Sequence, residues 1–128
     1  MKIPFKVDLS GKVAAVTGGA GVMMSDFCRA LAECGAKVAV INRTKATADA
    51  LATEIGENAI GISADCTKKE DIIAAKKVIN EKWGKVNFLI NGAGGNNPKA
   101  TTDNETMSPE TKVNKDFFGI DEDGFKFV

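Results

Sequence analysis

The feature that most constrains this sequence is the regular alternation of short apolar runs with longer amphipathic stretches. Four runs rich in β-branched side chains have the length and composition of buried strands. Three stretches with apolar residues at helical spacing separate them. Repeated strand–helix–strand units favour right-handed crossovers, so we expect a Rossmann-like, doubly wound parallel sheet in the α/β class. The predicted strands are 12–17, 37–42, 58–63 and 86–91, and the predicted helices are 22–34, 45–55 and 68–83.

Turn-forming and capping residues mark the ends of the predicted helices. Gly35, Gly56 and Gly84 each follow a helical stretch, where a residue without a Cβ adopts the left-handed conformation most easily. Thr67 precedes the third helix and Glu70 lies three residues later, which predicts a capping box.

Charge and composition exclude several classes of protein. The 128 residues suit one domain, and 17 basic against 17 acidic residues give no general attraction to nucleic acid or to an anionic membrane. The apolar runs are too short to span a bilayer, and the first residues lack the apolar stretch of a secretory signal, so we expect a cytoplasmic protein. Three cysteines without CxxC spacing predict neither a disulfide framework nor a metal site.

A glycine-rich segment joins the first predicted strand to the first helix, where a pyrophosphate can approach the backbone and the helix N-terminus. Its Gly19-Ala20-Gly21 supplies two glycines of a GxGxxG pattern, but Met24 occupies the third position. Because that glycine normally allows close helix–strand packing, Met24 requires a wider separation or a displaced phosphate site. The alternative is a plain glycine turn. The predicted phosphate-binding residues are Thr17, Gly18, Gly19, Ala20, Gly21, Val22 and Met23.

The end of the second strand bears on the choice of cofactor. The dinucleotide fingerprint expects an acidic residue there for the ribose 2′-hydroxyl, but Asn42-Arg43-Thr44 stands in its place. An acidic side chain repels a 2′-phosphate, whereas Arg pairs with it through two parallel hydrogen bonds. These residues therefore favour NADP, with NAD possible. The alternative is that Arg43 is only a solvated loop residue.

Two further strand ends complete the predicted nucleotide pocket. Asp65 follows the third strand and can accept a hydrogen bond from the adenine amino group, with Cys66 packing beside it. Asn91-Gly92-Ala93-Gly94 ends the fourth strand, where small residues let the backbone come close to the ribose. Each feature alone is also explained as a cap or a turn, but together they predict a binding site at one edge of the sheet.

Taken in order, these motifs resemble the N-terminal half of a short-chain dehydrogenase/reductase over residues 5–128. The NNAG motif of that family corresponds to Asn91–Gly94 here. Residues 94–102 resemble the D-mannonate oxidoreductase or gluconate 5-dehydrogenase-like branch. The resemblance implies hydride transfer between NAD(P)(H) and an alcohol or ketone, with a sugar acid as the candidate substrate, in a homo-oligomer.

The resemblance also implies a catalytic Asn, Ser, Tyr and Lys beyond the last residue of this sequence, which contains no Tyr. Asn114 lies in an irregular polar stretch and Ser108 precedes Pro109, so neither is predicted to be catalytic. We therefore expect cofactor binding without turnover from these residues. The alternative function is a non-catalytic nucleotide-binding module. A methyltransferase of similar fold is disfavoured, since no acid follows the second strand.

The last third of the sequence lacks the alternation of strands and helices that the first two thirds show. We expect 92–128 to be an irregular loop followed by the acidic first turn of a helix at Asp121. Phe88, Leu89 and Ile90 are patterned for burial, so the fourth strand is expected to need a neighbour on each side. Without a fifth strand, the chain should be marginally stable and associate through that edge or through exposed helix faces.

Overall fold

The computed structural model describes residues 7–103, 106, 108, 109 and 116–128. Within these residues, 3-10 helices at Pro98–Ala100 and Phe117–Gly119 lie between the last strand and the last helix. The elements are β1 (Val13–Thr17), α1 (Val22–Glu33), β2 (Lys37–Asn42), α2 (Lys45–Ile55), β3 (Ala59–Ser63), α3 (Lys69–Trp83), β4 (Phe88–Asn91) and α4 (Glu122–Phe127).

The chain divides into two compact units, Met1–Ala93 and Gly94–Val128, and the first contains the sheet. Its strands run in the order β3-β2-β1-β4, and all three neighbouring pairs are parallel. Helices pack on this sheet, so the predicted Rossmann-like α/β fold is confirmed.

The two central strands are buried on both faces, as the apolar runs predict. Because successive side chains of a strand point to opposite faces, each strand contributes to two hydrophobic clusters. On one face Ala15, Ala39 and Ile41 pack with Ala75 and Ile79 of α3. The other face contributes Val16, Val38 and Val40, which pack with Cys28 of α1 and with Ala48 and Leu51 of α2.

β4 differs from the central strands in length and burial. It begins at Phe88 rather than at Val86, and the side chains of Phe88 and Leu89 are 39% and 62% exposed. Exposed apolar side chains on this strand are what the sequence predicts for a fourth strand with no fifth strand beside it. The reason is position: within the described part of the chain β4 pairs only with β1, so it is an edge strand.

The helix ends follow the glycines more closely than they follow the predicted capping box. Gly56 and Gly84 are C-caps with φ of 93° and 87°. Gly35 lies one residue beyond the C-cap of α1 with φ of 91°. The capping box is wrong, because α3 begins at Lys69 and Thr67 instead donates its hydroxyl to Asp65 Oδ1 at 2.8 Å.

The second unit contains the short helix expected near residue 121. Asp121 is the N-cap of α4, and its Oδ1 accepts the Gly124 N–H at 2.7 Å. The Asp121 N–H donates to the backbone oxygen of Lys99, which ties α4 to the first 3-10 helix. Asn114 lies outside the described residues.

Candidate cofactor-binding site

The carboxyl ends of three strands meet at one edge of the sheet. Thr17, the last residue of β1, is in register with Ile41 of β2 and with Asn91 of β4. Open parallel sheets bind ligands in the crevice outside this edge. The segments that follow β1, β2, β3 and β4 therefore define the candidate site.

The turn after β1 is packed so closely that its glycines are structural requirements. Gly18 has φ of 62°, and a Cβ there would lie 2.7 Å from the backbone oxygen of Gly92. A Cβ on Gly19 would lie 2.9 Å from the Val16 oxygen, while the Gly19 N–H donates to the Ile41 oxygen at 3.1 Å. The turn therefore brings bare backbone to the strand-end crevice.

The first turn of α1 presents its N–H groups to the same edge. Gly21 is the N-cap, with no side-chain capping bond and no acidic residue in the first helical turn. Val22 and Met23 follow it and are 96% and 68% exposed. The first N–H groups of a helix lack intrahelical acceptors and carry a partial positive charge, so this arrangement suits a phosphate.

Thr17 ties the end of β4 to the end of β1. Its hydroxyl oxygen accepts the N–H groups of Gly92 and Ala93, at 3.1 and 3.2 Å, and the hydroxyl donates to the Ile90 oxygen at 3.5 Å. The Thr17 side chain is buried, so these bonds are made largely out of solvent. The backbone of Asn91–Ala93 is thereby fixed beside the glycine turn.

The end of β2 is held by local side-chain bonds. Asn42 donates from Nδ2 to Thr47 Oγ1 at 2.7 Å, and the Arg43 backbone oxygen accepts the Ser63 hydroxyl at 3.0 Å. The Arg43 side chain is exposed, and Thr44 is the N-cap of α2 without a side-chain capping bond. The main chain here is anchored, while the guanidinium faces solvent.

Asp65 and Cys66 follow β3. The Thr67 hydroxyl and N–H donate to the Asp65 carboxylate and lower its pKa, an effect to which the Lys68 and Arg43 charges add. Asp65 is therefore ionised and able to accept a further bond at neutral pH. Partial desolvation and the Asp65 charge raise the pKa of the Cys66 thiol, which is nevertheless exposed to solvent.

The structure brings some predicted residues together and leaves others apart. Thr17 and Gly18 touch Gly92 and Ala93 directly, through the contacts given above. Gly94 lies in the second unit, and a Cβ there would meet nothing within 4 Å, so its glycine is not required by packing.

Sequence reasoning missed one contact. Met24 lies over Gly92, where a Cβ would overlap its Cγ and Sδ, while the wider separation or displaced phosphate site stays a prediction. The available signal was the pairing of two departures from the expected motifs, Met for Gly at 24 and Gly for Asn at 92.

A separate groove of about 460 Å³ lies between α3 and the β1–β4 part of the sheet. Its lining is mostly apolar and includes Ile72, Ala75, Ile79, Val86 and Leu89.

Among the described residues, no group of three or more His, Cys, Asp or Glu could hold a metal ion. In the same part of the chain, no helix is long and apolar enough to cross a membrane.

Comparison with known proteins gives matches over nearly the whole chain. A family profile described as short chain dehydrogenase matches residues 12–120. An uncharacterised oxidoreductase, UxuB of Bacillus subtilis (strain 168), is 44% identical over 129 residues, covering 98% of this chain and 46% of the relative.

Two solved structures are also similar. One, from Haemophilus influenza, is provisionally assigned as a D-mannonate oxidoreductase and contains bound NAD. It superposes with a TM-score of 0.82 at 36% identity, over 95% of this chain and 45% of the other. The other is the 3-ketoacyl-(acyl-carrier-protein) reductase of Brucella melitensis, complexed with NADH. It superposes with a TM-score of 0.68 at 32% identity, over 94% of this chain and 48% of the other. This chain thus spans just under half the length of the proteins it matches.

Proposed function

This chain belongs to the short chain dehydrogenase family, and from that premise we propose that it forms the dinucleotide-binding part of an NAD(P)-dependent oxidoreductase. The observation that carries the proposal is the contact between Gly18 and Gly92, which leaves bare backbone on both sides of the strand-end crevice. The uncapped first turn of α1 lies next to it. We assign no catalytic residue within this chain.

Each part of the site has a distinct task in this proposal. The N–H groups at the start of α1 bind the pyrophosphate, because they lack acceptors and lie at the positive end of the helix dipole. Thr17 holds the Gly92–Ala93 backbone against the ribose, and Asp65 accepts a bond from the adenine amino group. The nicotinamide, when bound, supplies the hydride acceptor or donor for an alcohol or ketone.

We further propose that the preferred cofactor is NADP. The support is the exposed Arg43 guanidinium beside Asn42, where a carboxylate would repel a 2′-phosphate. Both similar solved structures contain NAD or NADH, so this preference distinguishes the chain from those proteins and needs a direct test.

The test compares binding of NADPH and NADH to the Arg43→Asp variant by fluorescence titration. Loss of a charged hydrogen bond should weaken NADPH about 10- to 100-fold while NADH changes little. Lys12→Asp is the matched control, because it makes the same charge change at the opposite end of β1. Equal losses for both cofactors would show that Arg43 does not contact the 2′-phosphate.

The substrate of the whole protein is a further proposal. Similarity to a provisionally assigned D-mannonate oxidoreductase supports a sugar acid. The second candidate function is nucleotide binding without catalysis, which is favoured by the lack of any Tyr in these 128 residues. Steady-state assays with NADPH, NADH and sugar acids separate the two, since turnover by the 128-residue chain would contradict the second.

The intact mass of the natural protein, compared with 13.5 kDa, shows whether the chain is part of a longer enzyme. The homo-oligomer and the cytoplasmic location stay predictions, tested by sedimentation and by cell fractionation.

A further inference from the structure

We propose that Met24 is a positioning residue of the dinucleotide site, acting through Gly92. Its side chain occupies the space that a Cβ on residue 92 would take, so the pair does the work of the missing third glycine in the turn. The Cβ-free position that permits close packing has moved from the helix to the facing strand end. This inference rests on the proposed dinucleotide-binding function.

The geometry makes the two residues depend on each other. A Cβ built on Gly92 overlaps both Cγ and Sδ of Met24, and it also lies 2.8 Å from the Thr17 backbone oxygen. Met24 is half-buried, and it also packs against the hydrophobic cluster that contains Val16 and Cys28. The Met24 side chain therefore lies between the core and the end of β4.

Gly92 is held from three directions. The Thr17 hydroxyl and the Thr17 backbone oxygen accept its N–H, a Cβ on Gly18 would meet its carbonyl oxygen at 2.7 Å, and the Met24 side chain occupies the place that its own Cβ would take. Displacing Gly92 must therefore displace the glycine turn as well. Since these are the two backbone segments proposed to flank the dinucleotide, Met24 sets the spacing between them.

A methionine that merely fills the core would not produce this pattern. A flexible thioether usually accommodates a neighbouring methyl group at low cost. Here the overlap falls on Cγ as well as on Sδ, so Met24 must change its χ1 rotamer, and not only the end of its side chain, to make room. The replacement of the expected glycine by Met24 is thus accompanied by the replacement of the expected asparagine by Gly92, the residue that Met24 contacts.

The experiment is a double-mutant cycle of Met24→Ala and Gly92→Ala in the full chain, read out by melting temperature and by NADPH and NADH dissociation constants. Gly92→Ala should weaken dinucleotide binding at least about fivefold more in the wild-type background than in the Met24→Ala background. Part of the loss should persist in the double variant, because the Thr17 oxygen still opposes the added Cβ. If Gly92→Ala weakens dinucleotide binding by the same factor in both backgrounds, the proposal is overturned.

Two controls separate positioning from simple loss of stability. Leu31→Ala truncates another residue that packs against the same cluster, and should lower the melting temperature while leaving affinity unchanged. Gly95→Ala adds a Cβ where nothing lies within 4 Å and should change neither quantity. Met24→Leu, which keeps the bulk, should bind nearly as the wild type does.

Failure to fold is itself informative in this design. If Gly92→Ala is insoluble and the double variant is soluble, the packing claim is supported. If both are insoluble, the comparison of Met24→Ala with Leu31→Ala decides, because only the first should lose affinity. A wild-type chain that binds neither NADPH nor NADH would overturn the proposed function, whereas normal wild-type binding without coupling would overturn only the role of Met24.

Discussion

The two halves of the candidate site are built from different parts of the polypeptide. At the ends of β1 and β4 the surface is main chain, held by glycine contacts and by the buried Thr17 hydroxyl. At the ends of β2 and β3 it is side chain, with the Arg43 guanidinium exposed and the Asp65 carboxylate fixed only by Thr67.

The residues that the fold requires therefore lie in the backbone half of the site, and the residues that select the ligand lie in the side-chain half. In the backbone half the Gly18 and Thr17 contacts also join β4 to β1, so a change there alters stability and binding together. In the side-chain half the main chain is anchored separately, by the Ser63 and Thr47 hydroxyls, so selectivity can change with little change in stability. Four predictions test this separation.

The largest effect is expected at Gly18. Gly18→Ala combines a left-handed backbone with a Cβ 2.7 Å from the Gly92 oxygen, and should destabilise the chain by about 2–5 kcal/mol. Gly11→Ala is the matched control, since Gly11 has φ of 75° but nothing within 4 Å, and should cost only about 1–2 kcal/mol. Urea denaturation measures both. Equal costs would mean that the close approach to Gly92 contributes nothing.

Removing the Thr17 hydroxyl should have the next largest effect. Thr17→Val keeps the shape but removes the acceptor of the Ala93 N–H and one of the two acceptors of the Gly92 N–H, which also donates to the Thr17 backbone oxygen at 3.1 Å, at a cost of about 1–3 kcal/mol. Thr17→Ser keeps the acceptor and should cost less. Both free energies come from urea denaturation, and dinucleotide titration should show parallel losses. If Thr17→Val lowers the free energy of unfolding but leaves dinucleotide affinity unchanged, stability and binding are not coupled in the backbone half.

The cysteines provide a probe of the side-chain half. Desolvation raises the pKa of the buried Cys28 thiol to about 11, whereas Cys66 is exposed beside Asp65. A thiol reagent at pH 8 should therefore modify Cys66 and spare Cys28, with melting temperature nearly unchanged, as mass spectrometry of the digested protein would show. Saturating NADPH should slow the reaction at Cys66. Unchanged kinetics would place the adenosine elsewhere.

The smallest effect is a pH dependence from Asp65. Its pKa is lowered in the folded chain, so its contribution to stability is present above its ordinary value of 3.8 and is lost as the pH falls through the folded value. Asp65→Asn should therefore differ from the wild type at pH 7 and converge with it in acid. Thr67→Val, which removes the main cause of the shift, should behave alike. If the difference in stability between Asp65→Asn and the wild type stays constant as the pH falls, the lowered pKa of Asp65 does not contribute to stability.

Local patterns predicted most of the fold but not the contacts between distant segments. β2 and α2 match their predicted bounds, because their apolar spacing and their flanking residues agree. The apolar pattern of β4 indicated that the strand needs a second neighbour, and within the described residues it pairs only with β1, which leaves its apolar side chains at an edge. Thr67 was misassigned because α3 begins two residues after it, at Lys69, while its hydroxyl donates to Asp65.

The candidate site was predicted to the same extent. The strand-end segments follow from the order of the elements, but the contact of Met24 with Gly92 joins two parts of the sequence that no local pattern connects.

The pairing of β1 with β4 also has a consequence for the order of folding. Val13 and Asn87 exchange hydrogen bonds although 74 positions separate them, whereas Lys37 reaches Asn58 across only 21. Closing the longer loop costs more entropy, so the β1–β2–β3 core should form first and β4 should dock afterwards. The backbone half of the crevice is then the last part of the sheet to be completed, and a newly made chain acquires its dinucleotide pocket only at the end of folding.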